Sequence, residues 1–281
     1  MAVAGRPNVG KSTLVNALCG DKVAITSKVP NTTRRRIFGV ANGADWQLVL
    51  ADLPGFQRPM DPLTASMQRT VDASFADVDA VLLVVSARER VGAGDRFVAR
   101  RVFSLGVPVI IAVNKIDRLK HGHIAAQMKT AATLGDFHAL HPVSALTKDG
   151  IGALRDDLAF LLPDGPLYFP VEQTTDLTME NRVAEVVREK ALHLTRDEVP
   201  HAITVEVDEI GEKVVRAFVL VETESQKGIL VGKKGATIRE IGSRARPEVE
   251  HLVGHPVFLE LVVKVRSKWR RDPKMLERLG M

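Results

Sequence analysis

The chain has 281 residues, of which 45% are apolar and 26% charged, with a single cysteine and a formal net charge of +5. One cysteine excludes a disulfide framework, and no apolar run approaches the roughly eighteen residues of a membrane span, nor does the N-terminus have signal-peptide architecture. A soluble intracellular protein of one large or two ordinary domains is expected.

Divided along the chain, the charge is more informative. Residues 1–170 hold 20 Lys and Arg against 15 Asp and Glu, while 171–281 hold 19 of each. Locally the second part is segregated: 227–246 carry six basic groups and one acidic, 264–278 seven and two, and 197–224 two and eight. Such segregation gives one face a positive potential that the total conceals. His121 and His123 have no Cys or carboxylate partners at metal-ligand spacing, so no zinc site is read, and Cys19 is expected to pack inside.

The first element is Gly5-Arg6-Pro7-Asn8-Val9-Gly10-Lys11-Ser12, which fits G-x-x-x-x-G-K-[ST]. In this loop successive backbone N–H groups wrap the phosphates of a nucleotide, the lysine reaches the terminal ones and the hydroxyl holds Mg²⁺. Gly5 and Gly10 are expected where a side chain would strike a phosphate oxygen. Ser12 to Leu18 then have helical apolar spacing, ended by Gly20, so the loop sits at a helix N-terminus that favours an anion. Only Met1 to Ala4 precede Gly5, a short first strand that suggests a trimmed or re-annotated start.

Residues 21–36 read as a loop ending in three arginines. Ile37 to Val40 and Trp46 to Ala51, joined by Asn42-Gly43, predict an antiparallel hairpin. Strands follow at Ala80 to Ser86, Val107 to Asn114 and His138 to Val143, alternating with helices at about 62–77, 95–105, 123–134 and 151–162. The continuous apolar strands imply an α/β fold: a mostly parallel sheet with helices on both faces and one antiparallel edge strand. Ligands of such sheets bind beyond the carboxyl ends of the strands.

Those ends read Asp52-Leu53-Pro54-Gly55, Asn114-Lys115-Ile116-Asp117 and Val143-Ser144-Ala145. Asp52 suits Mg²⁺ held through water, and the Gly55 N–H suits a γ-phosphate, so this loop would be ordered by triphosphate and released after hydrolysis. Asp117 suits the two N–H groups on the Watson–Crick edge of guanine, where adenine has the wrong polarity. Unpaired groups of this kind can discriminate by about four orders of magnitude. Asn114 would tie loops together, Lys115 would lie over the base and Ser144 and Ala145 would approach guanine O6. The cofactor-binding set is therefore Gly5, Asn8, Val9, Gly10, Lys11, Ser12, Thr13, Asp52, Gly55, Asn114, Lys115, Asp117, Ser144 and Ala145, with GTP or GDP and Mg²⁺ as ligands.

Together these elements over residues 1–165 resemble a translation-factor-type P-loop GTPase domain. The resemblance implies that Thr33, in Asn31-Thr32-Thr33-Arg34, joins Ser12 and Asp52 as an Mg²⁺ ligand in the triphosphate state. Thr32 is its rival, and Thr33 is preferred because the family pattern places Arg directly after it. Lys11, Thr33, Gly55 and Asn8 become the catalytic candidates, with Asn8 matching a position where related enzymes use a potassium ion. Phe56 stands where many relatives have a glutamine that orients water, so slow intrinsic hydrolysis is expected.

Pro163-Asp164-Gly165-Pro166 and Pro170 predict a break and a linker over 166–176. In 177–281 the expected order is helix (Leu177 to Leu194), strand (His201 to Asp208), strand (Val214 to Glu222), helices near 236–243 and 247–253, and strand (Val257 to Val265). Inside it lies Ile229-Leu230-Val231-Gly232-Lys233-Lys234-Gly235, a G-x-x-G turn flanked by aliphatics. It resembles the clamp of a type II KH domain on single-stranded RNA: Gly232 and Gly235 allow close approach, Lys233 and Lys234 neutralise phosphate, and Ile229 and Val231 meet unstacked bases. Arg239, Lys268 and Arg270 extend the candidate RNA contacts. Trp269 is open between base stacking and core packing, and Glu222 and Glu224 read as a solvated strand edge.

A GTPase domain, a linker, a type II KH unit and the tail Lys268-Trp269-Arg270-Arg271-Asp272-Pro273-Lys274 resemble the Era-type GTPases of bacterial ribosome assembly, within the TrmE-Era-EngA-EngB-Septin-like superfamily. The resemblance implies binding near the 3′ end of small-subunit ribosomal RNA, assistance to 30S subunit maturation, and a cytoplasmic monomer with peripheral contact at the inner face of the cell membrane. DNA is not an expected partner.

Overall fold

Val81–Ser86 and Val109–Asn114 are buried at every position in the computed structural model, which describes residues 1–57 and 59–281. These two strands, β4 and β5, lie inside a six-stranded sheet whose order is β2-β3-β1-β4-β5-β6. The others are β1 (Ala2–Ala4), β2 (Ile37–Asn42), β3 (Gln47–Asp52) and β6 (Ala139–Val143). β2 runs antiparallel to β3, and the remaining pairs are parallel. Alternate side chains of the strands feed two separate cores, one containing Val3, Leu82, Val84 and Ile110 and the other Ala2, Leu83, Val85 and Ile111. Both sheet faces are therefore covered, as all-apolar strands require.

The helices of this half are α1 (Lys11–Cys19), α2 (Pro62–Ser74), α3 (Ala93–Phe103), α4 (His121–Ala131) and α5 (Ile151–Phe160). Each lies within a few residues of its expected position. Glycine at left-handed φ ends α1, where the Gly20 N–H closes on Asn16 O at 3.0 Å.

Residues of the expected linker over 166–176 hydrogen-bond to the first sheet. The N–H groups of Tyr168 and Phe169 both donate to Gln47 Oε1, at 2.8 and 2.9 Å, Asn42 Nδ2 donates to Val171 O at 2.9 Å, and Val40 N donates to Thr174 O at 2.9 Å. The segment thus satisfies Gln47 of β3 and, on edge strand β2, Val40 N and the Asn42 side chain, along an edge that would otherwise invite pairing with another chain.

The chain divides into two compact units: residues 1–24, 33–59 and 64–176 form the first, and 25–32, 60–63 and 177–281 the second. The second unit contains α6 (Met179–Leu194), α7 (Val199–Ala202), β7 (Thr204–Ile210), β8 (Val214–Val221), α8 (Glu224–Val231), α9 (Ala236–Val253), β9 (Phe258–Val265) and α10 (Pro273–Arg278). Its sheet has order β7-β8-β9, antiparallel then parallel. The order helix, strand, strand, helix, helix, strand holds, but both middle helices differ from their expected spans.

The first of them, α8, lies ahead of the G-x-x-G turn and not after it. Thr223 caps it through Gln226 N at 3.3 Å, and Gln226 Oε1 accepts from Thr223 N at 3.2 Å, a reciprocal capping box. Glu224 is thus helical, and Glu222 is bound by Arg270, so neither is the solvated strand edge expected. The two helices read at 236–243 and 247–253 are one, α9, which continues through Pro247. Burial of Ile241, Ala245 and Val249 on one stripe outweighs the backbone bond that proline forfeits. The turn of α7, with Pro200 near its start, replaces the expected beginning of β7.

Candidate nucleotide and RNA sites

The loop from Gly5 to Gly10 joins β1 to α1, and its backbone is left-handed at Asn8 (φ 63) and Gly10 (φ 98). The glycines have a nearer steric reason than a phosphate. A Cβ on Gly5 would stand 2.5 Å from Val84 O, and one on Gly10 would stand 2.4 Å from Asn114 Nδ2. The loop is moulded on the protein itself.

Lys11 is buried, and its Nζ donates to Gly5 O and Arg6 O, each at 3.2 Å. Burial lowers its pKa from 10.5 to about 8, against the opposing pull of Asp52. Ser12 Oγ donates to Asp52 Oδ2 at 2.6 Å, Thr33 Oγ1 reaches the same oxygen at 3.2 Å, and the two hydroxyls stand 2.9 Å apart. Burial also pushes the Asp52 carboxyl upward, countered by Ser12, Lys11 and Thr33. Its other oxygen, Oδ1, is buried without a hydrogen-bond partner among the described residues. One carboxylate with a spare oxygen and two hydroxyls form an all-oxygen set suited to a hard divalent cation that keeps several waters and phosphate ligands. Thr32, the rival to Thr33, is occupied elsewhere: its Oγ1 donates to Val29 O at 2.7 Å.

At the same carboxyl end of the parallel strands Asn114 joins three loops. Its Nδ2 donates to Val9 O at 3.0 Å, and its Oδ1 accepts from Lys115 N at 2.8 Å and Ala145 N at 3.0 Å. Lys115 Nζ bonds the Asn8 carbonyl, and burial lowers its pKa. Asp117 Oδ1 accepts from Ser144 Oγ at 3.0 Å. Because the Ala145 N–H is engaged by Asn114, contact with guanine O6 requires that bond to be shared. Gly55 lies against the phosphate loop, where a Cβ would be 2.8 Å from Pro7 Cγ. Phe56 is buried and stacks on Phe75 with centroids 5.5 Å apart, so it belongs to the core rather than the site.

In the second unit the G-x-x-G turn links α8 to α9. Gly232 (φ 69) is forced, since a Cβ would lie 2.2 Å from Thr237 Oγ1, and Gly235 (φ 78) caps α9. Lys233 and Lys234 are exposed at its tip, Arg239 Nη2 steadies it on Lys234 O at 2.8 Å, and Ile229 is 48% exposed beside it. Trp269 resolves toward the core: it is fully buried and its indole N–H donates to Ala202 O at 2.8 Å. Arg270 is held by Glu222 at 2.7 Å, which offsets its charge, while Lys268 is exposed.

Comparison with known proteins now decides the family. Residues 1–115 match the family described as 50S ribosome-binding GTPase, and residues 198–270 match the KH domain family. The chain is 43% identical to GTPase Era of Mycobacterium tuberculosis, covering 100% of this chain and 97% of that protein. The chain belongs to the Era family of GTPases. It is 40% identical to the Era of Heliobacterium modesticaldum, over 100% of this chain and 95% of that one. Among solved structures it is similar to Era in complex with MgGDPNP and nucleotides 1506–1542 of 16S ribosomal RNA, with a TM-score of 0.95 and 37% identity over 99% of this chain and 97% of that one. An Aquifex aeolicus Era variant bound to GDP and aluminium fluoride matches with the same TM-score and identity. The Era-family architecture, a P-loop GTPase domain followed by a KH domain, is what both units display.

Proposed function

We propose that this protein is a GTP-hydrolysing switch that binds small-subunit ribosomal RNA near its 3′ end and assists 30S subunit maturation. The observation that carries the nucleotide half is the convergence of Ser12, Thr33 and Asp52, 21 and 40 residues apart in sequence, on one buried carboxylate beside Lys11. These three residues would hold Mg²⁺, which when bound neutralises charge on the transferring phosphoryl group.

The remaining chemistry belongs to the chain. Amides of Asn8 to Thr13 receive phosphate at the head of α1, Lys11 supplies a charge, and Gly55 offers its N–H to the terminal phosphate. Asp117 selects guanine, supported by Ser144, while Asn114 fixes the distance between base and phosphates. Phe56 cannot orient water, so unassisted turnover is slow. A potassium ion at Asn8 would supply the missing positive charge, and a rate unchanged on exchanging potassium for sodium would refute that part.

The RNA half rests on the exposed lysines of a turn that only glycines can form, with the Era–16S RNA complex as the likeness. Lys233, Lys234 and Lys268 face phosphate, and Ile229 and Val231 meet bases. Calorimetry should detect guanine but not adenine nucleotide, and Lys233→Glu with Lys234→Glu should abolish binding to a 16S 3′-end oligonucleotide. Equal binding of ATP, or RNA binding untouched by the double substitution, would refute the respective half. Among the described residues no helix is long and apolar enough to cross a membrane. A cytoplasmic location with peripheral membrane contact rests on the family likeness, and failure to float with anionic vesicles would remove the second part.

A further inference from the structure

The Arg6 side chain is held by two carboxylates. Its Nε donates to Asp95 Oδ1 at 2.7 Å and its Nη2 to Glu89 Oε2 at 3.0 Å. Asp95 is 2% exposed, and its second oxygen accepts from Gly92 N at 2.9 Å. One buried carboxylate therefore both closes the first turn of α3 and anchors a residue of the phosphate loop. The Arg6 stem occupies the space where a side chain at position 94 would stand: a Cβ on Gly94 would be 2.6 Å from Arg6 Cδ. This pairing, principally the hydrogen bond to Asp95, holds the guanidinium charged throughout the accessible range.

What the anchor holds is the crest of the loop. The Arg6 carbonyl is one of the two acceptors of Lys11 Nζ, at 3.2 Å. The next residue, Pro7, is the surface against which Gly55 closes, and the one after, Asn8, gives its carbonyl to Lys115. Each of these partners acts on the phosphates or the base, so a displacement of the crest by a fraction of an ångström moves them together.

We propose that Arg6, clamped by Asp95 to the first turn of α3, is a positioning residue for phosphoryl transfer, setting the place of Lys11 and of the Gly55 N–H in the transition state. The inference rests on the GTPase reading. Nucleotide affinity is spread over many amides and the base contacts, so losing the clamp should act on kcat more than on binding.

The test compares full-length protein with Arg6→Gln, Asp95→Asn, the double variant and Gly94→Ala, measuring single-turnover hydrolysis, GDP affinity and thermal midpoint. Gly94→Ala introduces a better helix former, so the helix is retained while the new methyl displaces the Arg6 stem. Expected is a fall in kcat of about tenfold for each single variant, with GDP affinity within about threefold, and no further loss in the double variant because both changes break one link. Wild-type hydrolysis with unchanged kcat in Gly94→Ala and Arg6→Gln would overturn the proposal. So would losses in kcat and GDP affinity that are proportional and additive, or a lowered midpoint with full kcat. Absence of hydrolysis in the wild type would instead strike the GTPase reading itself.

Discussion

Lys11 carries a cost in the free protein that its ligand removes. With its pKa at about 8 in the fold and 10.5 outside it, the unfolded chain binds more protons between these values, so stability rises with pH across that window. The destabilisation is fully present below pH 8 and amounts to about 3 kcal/mol for such a shift. Chemical denaturation of the nucleotide-free protein should show the rise from pH 8 to 10, and Lys11→Met should flatten it. Phosphate beside the ammonium reverses the desolvation, so nucleotide binding at pH 8.5 should take up a proton, visible as calorimetric heats that depend on the buffer's ionisation enthalpy. Heats identical in all buffers would contradict this. The neighbouring threonines separate equally sharply. Thr33→Ala should weaken Mg²⁺-dependent GTP binding by about tenfold or more, while Thr32→Ala, whose hydroxyl serves Val29 O, should leave it near the wild type.

At the scale of elements, the capping of α8 and the rigidity of its turn are the parts most open to test. Thr223→Ala removes one cap and should cost about 1 kcal/mol in urea denaturation. Trp269→Ala leaves a cavity under the second unit's core and should cost about 3–5 kcal/mol, where a base-stacking residue would have lowered RNA affinity with little change in stability. These elements also show where the sequence was opaque. The strand ends of the first unit were readable because a polar residue ends or directly follows each strand: Asp52, Asn114 and Ser144. The α8 helix was not among the expected spans, although a G-x-x-G turn implies a helix on each side and Thr223 and Gln226 stand at capping-box spacing. Pro247 broke a helix on paper that tertiary packing keeps whole. For Gly10 the motif pointed to a phosphate, whereas the atom that a side chain would strike belongs to Asn114, more than a hundred positions away.

Across the whole molecule, a switch requires that phosphate at one site alter RNA binding at another. Residues 25–32 belong to the second unit, where Glu189 accepts from Thr26 N at 2.9 Å and Arg188 Nη2 donates to Thr32 O at 2.6 Å. Thr33, the next residue, is hydrogen-bonded to Asp52 and Ser12. Arg188 and Glu189 of α6 thus hydrogen-bond residues one and seven positions ahead of Thr33, and Arg188→Gln with Glu189→Gln should reduce any difference in RNA binding between nucleotide states.

Coupling exists only to the extent that RNA affinity differs between those states. The deciding measurement is the dissociation constant of a 16S 3′-end oligonucleotide from protein loaded with Mg²⁺ and a non-hydrolysable GTP analogue, compared with protein loaded with GDP, at one fixed salt concentration. The account predicts binding tighter by about tenfold or more in the triphosphate state, a coupling of about 1.4 kcal/mol. Equal constants in the two states would contradict it.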